Sequence, residues 1–276
     1  MSVWFVTGSS RGFGAEITRA ALAAGHQVVA TARKPEGITE QFPEAGDALL
    51  ALPLDVTDER QIQGAVDAAV ERFGRIDVLV NNAGNGLLAA VEEADDSAVR
   101  AVYETNVFGV LAVQRAVLPV LRRQRSGHVI NISSVGGFAS AAGWGVYAST
   151  KFAVEGFTEA LHDELAPLGV HVTIVEPGYF RTDFLDPTSL ATGVHVIEDY
   201  AATSGAMRDA VPGINHAQPG DPVKAAEAIV ELAAVAEPPL RLQLGNDTLQ
   251  AVEAKLESVR KEMEAWRHVA VTTDHV

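Results

Sequence analysis

The sequence predicts an α/β protein: one doubly wound, parallel, seven-stranded sheet with helices on both faces, in a single domain spanning residues 1–276. Three observations carry this. Strand-like and helix-like segments alternate along the chain. Several strand-like segments have continuously apolar centres, as in Val28-Val29-Ala30 and Val78-Leu79-Val80, the pattern of strands covered on both faces. The 276 residues, 47% of them hydrophobic, suit one large core, and no linker, repeat or low-complexity tract divides them.

The first strand, 2–7, is the apolar run Val3-Trp4-Phe5-Val6. It feeds Thr7-Gly8-Ser9-Ser10-Arg11-Gly12-Phe13-Gly14. A helix over 13–24 follows, with Ile17, Ala20, Ala21 and Ala24 at helical spacing. Strand, glycine turn and helix together form the context of a phosphate cradle. Glycines permit a tight turn and close backbone approach, and the helix N-terminus offers free N–H groups and a positive dipole end. The spacing is Gly-x-x-x-Gly-x-Gly, not the common Gly-x-Gly-x-x-Gly. Further strands are expected at 26–31, 49–54, 76–81, 127–133, 170–176 and 240–244. Helices are expected at 58–73, 97–123, 147–167, 221–235 and 247–267. Only 184–222, rich in Pro, Gly, Asp, Thr and Ala, breaks the alternation, and a substrate-loop lid is expected at about 184–220. In such sheets ligands bind beyond the carboxyl ends of the strands.

Composition excludes several classes. The chain has no cysteine, so disulfides and thiolate chemistry are out. No charged n-region with an apolar h-region opens it, and no apolar run reaches spanning length; a cytoplasmic protein without a membrane partner is expected. A formal charge of −15 argues against a nucleic-acid partner, which needs a basic face. The eight histidines, among them His26, His162, His171 and His195, form no ligand pattern, so no metal site is expected. Glu92-Glu93, Asp95-Asp96 and the 253–264 run read as solvated helix faces and caps.

Chemistry enters with Tyr147-Ala148-Ser149-Thr150-Lys151. Positions i and i+4 share a helix face, so an ammonium stands beside a phenol. That arrangement is expected to lower the phenol pKa from about 10 toward neutrality. A phenol that exchanges a proton at working pH is a general acid/base. A serine pair, Ser133-Ser134, lies shortly upstream.

Together these features resemble the short-chain dehydrogenase/reductase family, in its shorter, single-domain branch with a Rossmann-type sheet. The motifs are Thr7-Gly8-x-x-x-Gly12-x-Gly14, Asp55-Val56, Asn81-Asn82-Ala83-Gly84, Asn106, Ser134, Tyr147-x-x-x-Lys151 and Pro177-Gly178, in the family's order. The match runs from about residue 2 to 183 and resumes near 221. The resemblance implies hydride transfer between a nicotinamide cofactor and a small-molecule alcohol or carbonyl. It implies that Tyr147 exchanges the substrate proton and that Lys151 also binds the nicotinamide ribose. Ser134 would bond the carbonyl oxygen, where charge develops. Ser134 is preferred to Ser133 because the family's serine precedes the tyrosine by thirteen positions, and only one of two adjacent strand residues faces the site. Asn106, by the same resemblance, holds a water in a proton relay through Lys151. The cofactor set so implied is Gly8, Ser10, Arg11, Gly12, Phe13 and Gly14 in the glycine loop, with Asp55 and Val56 against the adenine. Asn82, Ala83 and Gly84 lie along the ribose, Pro177 and Gly178 near the nicotinamide, and Thr182 on its carboxamide. Asn81 is assigned to the sheet.

Cofactor choice has a physical argument. An acid about twenty positions after the glycines bonds the ribose 2′-OH in NAD enzymes. Here the second strand ends Ala30-Thr31-Ala32-Arg33-Lys34, with Ala32 where that acid would stand. Arg33, with Arg11 from the glycine loop, would suit a 2′-phosphate, so NADP(H) is expected over NAD(H).

Two other functions compete with this one. A serine hydrolase using Ser134 fails, because Ile132-Ser133-Ser134-Val135-Gly136 lacks the Gly-x-Ser-x-Gly elbow. An NADP(H)-sensing regulator without turnover is the alternative on the same fold; retention of Ser134, Tyr147 and Lys151 favours the enzyme. The substrate pocket is expected from Gly86-Leu87-Leu88, 138–144, Tyr179-Phe180 and 184–216, with Leu88, Phe138, Trp144, Tyr179 and Met207 giving an apolar or aromatic lining. A homodimer or homotetramer is expected. Helices 97–123 and 147–167 carry more apolar residues than one stripe needs: Val107, Val110, Leu111, Val117 and Val120, and Phe152, Val154, Phe157, Leu161 and Leu165. Family members pair these helices across a two-fold axis.

Overall fold

The structure is a computed structural model describing residues 1–275. Seven parallel strands form one sheet: β1 (Val3–Thr7), β2 (Gln27–Ala32), β3 (Leu49–Pro53), β4 (Val78–Asn81), β6 (Gly127–Ile132), β7 (Val170–Pro177) and β9 (Arg241–Leu244). Their order across the sheet is β3-β2-β1-β4-β6-β7-β9. The order reverses between β1 and β4, so the loops leaving those strands part and open a cleft at the carboxyl edge. Strand alternation feeds two cores. Val3, Phe5, Val29, Leu79 and Val129 face α3 (Glu59–Phe73), α5 (Val110–Gln124) and α6 (Gly145–Leu165). Trp4, Val6, Val28 and Val80 face α1 (Gly12–Ala23) and α8 (Pro222–Leu232), through Ile17, Ala21 and Ile229. Both faces are dry, which is why these strands read as unbroken apolar runs.

Several elements have no clear signal in the sequence. A short α2 (Glu36–Gln41) follows β2. The helix expected over 97–123 is α4 (Asp96–Tyr103), a π-helical turn over Glu104–Gly109, and α5. The weakly patterned segment beyond 183 carries a strand and a helix. Its β8 (Leu190–Thr192) pairs in parallel with β5 (Gly86–Leu88) as a separate two-stranded sheet, and α7 covers Ala206–Ile214.

Glu93 departs from its expected place on a solvated face. It is 1% exposed. It accepts from the backbone N–H groups of Ala90 (3.0 Å) and Ile197 (2.9 Å) and from Arg208 (2.5 Å). Those backbone N–H groups, Ile197 first, hold its pKa below the usual carboxylate value despite its burial. Acidity in the sequence does not distinguish a solvated carboxylate from one that ties two segments together.

The apolar excess of the central helices is also smaller than expected. Val107, Val110, Val117, Val120, Val154, Leu161 and Leu165 are all buried within their own molecule. Of the residues named for an interface only Phe152 is exposed, joined on α5's side by Phe108 in the π turn. Among the described residues no helix is long and apolar enough to cross a membrane.

His128 in β6 is buried, its Nε2 2.9 Å from Thr173 Oγ1 and its ring 5.8 Å from that of His171. Burial, helped by His171, pushes its pKa down to about 3. The unfolded chain takes up this proton near pH 6.5 and the folded one only near 3. This contribution to stability is therefore complete above pH 6.5 and is lost as pH falls toward 3. We expect the urea midpoint to drop between pH 7 and pH 4. His128→Gln, which can still bond Thr173, should reduce that drop; equal drops in both proteins would refute the assignment.

Candidate active site

The site is assembled at the carboxyl edge of the sheet. Beyond β1 the chain turns through Gly8 (φ 71°) and Gly12 (φ 56°), left-handed positions that favour glycine. Gly14 is there for closeness: a Cβ on it would lie 2.1 Å from Gly8 O and 2.6 Å from Asn82 Nδ2. Asn82 stitches this loop to the end of β4, its Nδ2 donating to Thr7 O (2.9 Å) and Gly8 O (3.1 Å). Thr7 Oγ1 accepts from the backbone N–H groups of Asn82 (3.0 Å) and Ala83 (3.1 Å). The Asn82 side chain is thus engaged with the protein's own loop, and Asn81 bonds Asn131 across the sheet (2.8 Å).

On the other side of the cleft, Tyr147 and Lys151 lie on α6, both buried. Lys151 Nζ donates to Ile132 O at 2.9 Å and stands 5.9 Å from the centre of the Tyr147 ring. The two serines part as strand alternation requires. Ser134 caps the turn Val135–Gly137, accepting from Gly136 N at 3.0 Å, while Ser133 turns toward Glu155. Gly136 bridges the pair, since a Cβ there would lie 3.4 Å from Ser134 Oγ and 3.6 Å from Tyr147 Cε1.

The electrostatics differ from the expectation of a phenol brought toward neutrality. Burial pushes the Tyr147 pKa up to about 12, against a lowering pull from the Ser134 hydroxyl. Burial likewise brings Lys151 down to about 8, partly offset by Glu155 one turn further along α6. Desolvation penalises each charged form, and it outweighs the benefit of a cation one helical turn away.

Asn106 sits in the π turn, 1% exposed. Its Oδ1 accepts from Asn85 N (3.0 Å), and its Nδ2 donates to Asn85 O (2.8 Å) and Thr150 Oγ1 (3.2 Å). It clamps the loop after β4 to α6. A Cβ on Gly84 would lie 3.2 Å from Asn106 Oδ1 and 3.7 Å from Lys151 Nζ, so glycine keeps that approach open. The register shift that aims Asn106 inward comes from the π turn, a frequent feature of functional helices.

The remaining expected residues fall around the same edge. Val56 is buried against Gly109 of the π turn, and Asp55 accepts from Thr57 Oγ1 at 2.7 Å. Phe13 packs on Phe180, ring centres 5.2 Å apart. Thr182 Cβ lies 3.6 Å from where a Cβ on Gly12 would be. Pro177 ends β7, and Gly178 N donates to Leu244 O (3.0 Å). Ser10 and Arg33 are exposed, Arg33 just past the end of β2 beside the buried Ala32. Arg11 is already engaged: its guanidinium donates to Thr188 Oγ1 (2.7 Å), Thr188 O (3.2 Å) and Ser189 Oγ (2.8 Å). The expected convergence of two arginines meets an Arg11 held by the segment facing it and an Arg33 that is exposed.

Over Tyr147 lies an apolar cluster of Leu88, Trp144, Leu185, Leu190 and Val211, with Phe184 and Met207 at its edge. Tyr147 meets Trp144 edge-on (5.7 Å) and Phe184 at a tilt (5.4 Å). Tyr179 is beside Trp144, and burial raises its pKa. Phe138 is half-buried and lies outside this cluster. Sequence reasoning missed Asp247, which accepts from Tyr179 N at 2.7 Å and occupies the space a Cβ on Gly178 would need (2.3 Å). A lone Asp 69 positions downstream of Gly178 carries no signal of that contact.

The model of the short chain dehydrogenase family matches residues 2–192. The chain is 40% identical over 272 residues to an oxidoreductase of Botryotinia fuckeliana, covering 98% of each protein. It is 37% identical to a 3-ketodihydrosphingosine reductase of Bacteroides thetaiotaomicron, covering 92% of this chain and 91% of that one. A short-chain dehydrogenase from Streptomyces avermitilis superposes with a TM-score of 0.90 at 41% identity, over 99% of this chain and 100% of the other. A serine dehydrogenase solved with NADP+ superposes at 0.75 and 29% identity, over 88% and 94%. The chain belongs to the short-chain dehydrogenase/reductase family. It is an oxidoreductase on that family's scaffold, and its structural neighbours bind nicotinamide cofactors, NADP in some and NAD in others.

Proposed function

We propose that this protein is an NADP(H)-dependent oxidoreductase interconverting a carbonyl and a secondary alcohol, with Tyr147 as general acid/base. The observation that carries the reading is the buried pair Tyr147 and Lys151, with half-buried Ser134 beside Tyr147, at the foot of an apolar cluster. A nicotinamide cofactor would supply or accept the hydride. The cleft fits such a group: the N-terminus of α1 at the glycine loop has no side-chain cap, and glycine at 84 keeps Lys151 and Asn106 approachable. Gly8, Gly12, Gly14, Asp55, Ala83, Pro177 and Thr182 would border it, and Lys151 would bond its ribose hydroxyls. A phenol with its pKa near 12 is protonated at any working pH. That suits proton donation to the oxygen of a carbonyl, and Ser134 would hold that oxygen by a hydrogen bond. Apolar neighbours Leu88, Trp144, Leu185 and Val211 favour a hydrophobic ketone over a charged one. The relative from Bacteroides is by name a 3-ketodihydrosphingosine reductase, which supports a ketone as the substrate class here. Segment 184–220, packed over Tyr147, would act as the lid that excludes water.

Four expected outcomes test this reading. Tyr147→Phe should abolish turnover of a ketone panel while cofactor binding, followed by fluorescence, survives; normal rates in a folded variant would sink the mechanism. Ser134→Ala should slow the chemical step more than Ser133→Ala.

Reduction should also decline at alkaline pH. Lys151 carries its charge below about pH 8 and loses it above. Ribose binding and turnover should therefore fall as pH rises through about 8, and a profile flat from pH 7 to 10 would contradict the role given to Lys151. Glu155, which burial pushes up to about 7, is the other group titrating beside it.

Cofactor preference rests on Arg33 without a carboxylate at position 32. Arg33→Ala should weaken NADPH by about 1.5–3 kcal/mol, the scale of a charge-assisted hydrogen bond, and leave NADH nearly unchanged. Calorimetric titration of both cofactors decides, and tighter NADH in the wild type would defeat the assignment.

A further inference from the structure

The last helix, α9 (Asn246–Ala270), is rooted on the body by few residues. Thr248 and Val252 are buried, and every residue from Glu253 to Ala270 is exposed. Solvated helices are ordinarily polar on all sides. This one carries Leu249, Val252, Leu256, Val259, Met263, Trp266 and Ala270, spaced alternately three and four residues apart. That is an unbroken heptad seam, the pattern that pairs helices. Leu256 is 51% exposed, Met263 57% and Trp266 66%. The seam is about 33 Å long at 1.5 Å per residue.

We propose that α9 is a self-association surface, pairing antiparallel with α9 of a second copy of this chain. The flanking charges select both partner and direction. On the two sides of the seam lie Glu253, Arg260 and Arg267, and Lys255, Glu262 and Val269. Antiparallel helices with Leu256 opposite Val259 of the partner subunit bring Glu253 beside Arg260 of the partner subunit. The same register brings Lys255 beside Glu262 of the partner subunit. The two-fold axis repeats each, giving four opposite-charge pairs. A slip of one heptad either way sets Glu253 and Lys255, or Arg260 and Glu262, against themselves. A parallel pair in register sets Lys255 against Arg260. One arrangement is therefore favoured over its neighbours, as partner-specific coiled coils require. Val252, covered by its own body, marks where the seam meets the rest of the molecule. The outer face mixes both signs, with Lys261 paired to Glu257 and Arg267 to Glu264, and lacks the basic bias of a membrane-lying helix.

The test uses the full chain and light scattering over a range of concentrations. Leu256→Glu/Met263→Glu should halve the wild-type mass while NADP(H) binding and helix content stay unchanged. An unchanged mass, or a wild type that is already monomeric, would overturn the proposal. So would wild-type protein that binds anionic vesicles through α9 with no change of mass on mutation. Arg260→Glu should weaken association at least tenfold, and Glu253→Arg/Arg260→Glu should restore it. Tighter association of Arg260→Glu would instead mark a parallel pair and overturn the antiparallel one. Because the chain has no cysteine, direction can also be read covalently. Leu249→Cys mixed with Trp266→Cys should give a disulfide-linked heterodimer, and neither variant alone should cross-link.

Discussion

The cleft depends on a buried polar network where the strand ladders of β4 and β6 end. Asn131 Oδ1 accepts from Asn81 (2.8 Å) and Gln114 (3.1 Å), and Asn131 Nδ2 donates to Thr158 (2.8 Å). Two strands and two helices, α5 and α6, are thereby fixed to one another directly beneath the site. Thr7, Asn82 and Asn106 continue the pattern above them, each bonding backbone that no longer has a strand neighbour. Left alone, each such buried group would cost about 1–3 kcal/mol. Satisfied together, they make the loop positions single-valued, which is what a site built from several separate chain segments needs.

Burial shapes the chemistry as much as proximity does. A phenol and an ammonium brought together in water would favour tyrosinate; buried together, both are driven toward their neutral forms. The same desolvation acts one turn behind Lys151, where Arg241 Nε lies 3.2 Å from both Glu155 and Glu176 and also pairs with Glu159. Burial raises both Glu155 and Glu176. The last strand thus brings a cation to acids that the helix and β7 bury, and the charge balance near Lys151 depends on residue 241, far from any motif.

The parts of the fold legible in the sequence are those with a local cause. Apolar runs such as Val78-Leu79-Val80 are strands because both faces are covered, and Gly8, Gly12 and Gly14 lie at turns and contacts that a side chain would obstruct. The family could be read from motif order alone. What was not legible depends on contacts distant in sequence. The π turn at 104–109 looks like ordinary helix, since its cause is Gly109 meeting Val56 and Asn106 meeting Asn85. β8 is three residues whose strand partner, β5, lies about a hundred positions away. Phe108 and Phe152 stand out only once their apolar neighbours are seen to be buried.

Segment 184–220 is tied to both walls of the cleft, and this couples parts of the chain that the motifs treat separately. Arg11 of the glycine loop bonds Thr188 and Ser189, while β8 immediately after them pairs with β5. Further along, buried Glu93 receives Ile197 and Arg208. Leu190 between these ties, with Leu185 and Val211 flanking them, packs in the cluster that includes Tyr147. Displacing the segment would therefore break charge-assisted bonds at the glycine loop and at Glu93 and uncover the phenol in one step. Any anion bound by Arg11 would draw on the same guanidinium donors that bond Thr188 and Ser189. The position of segment 184–220 and that of the glycine loop are linked through that one side chain.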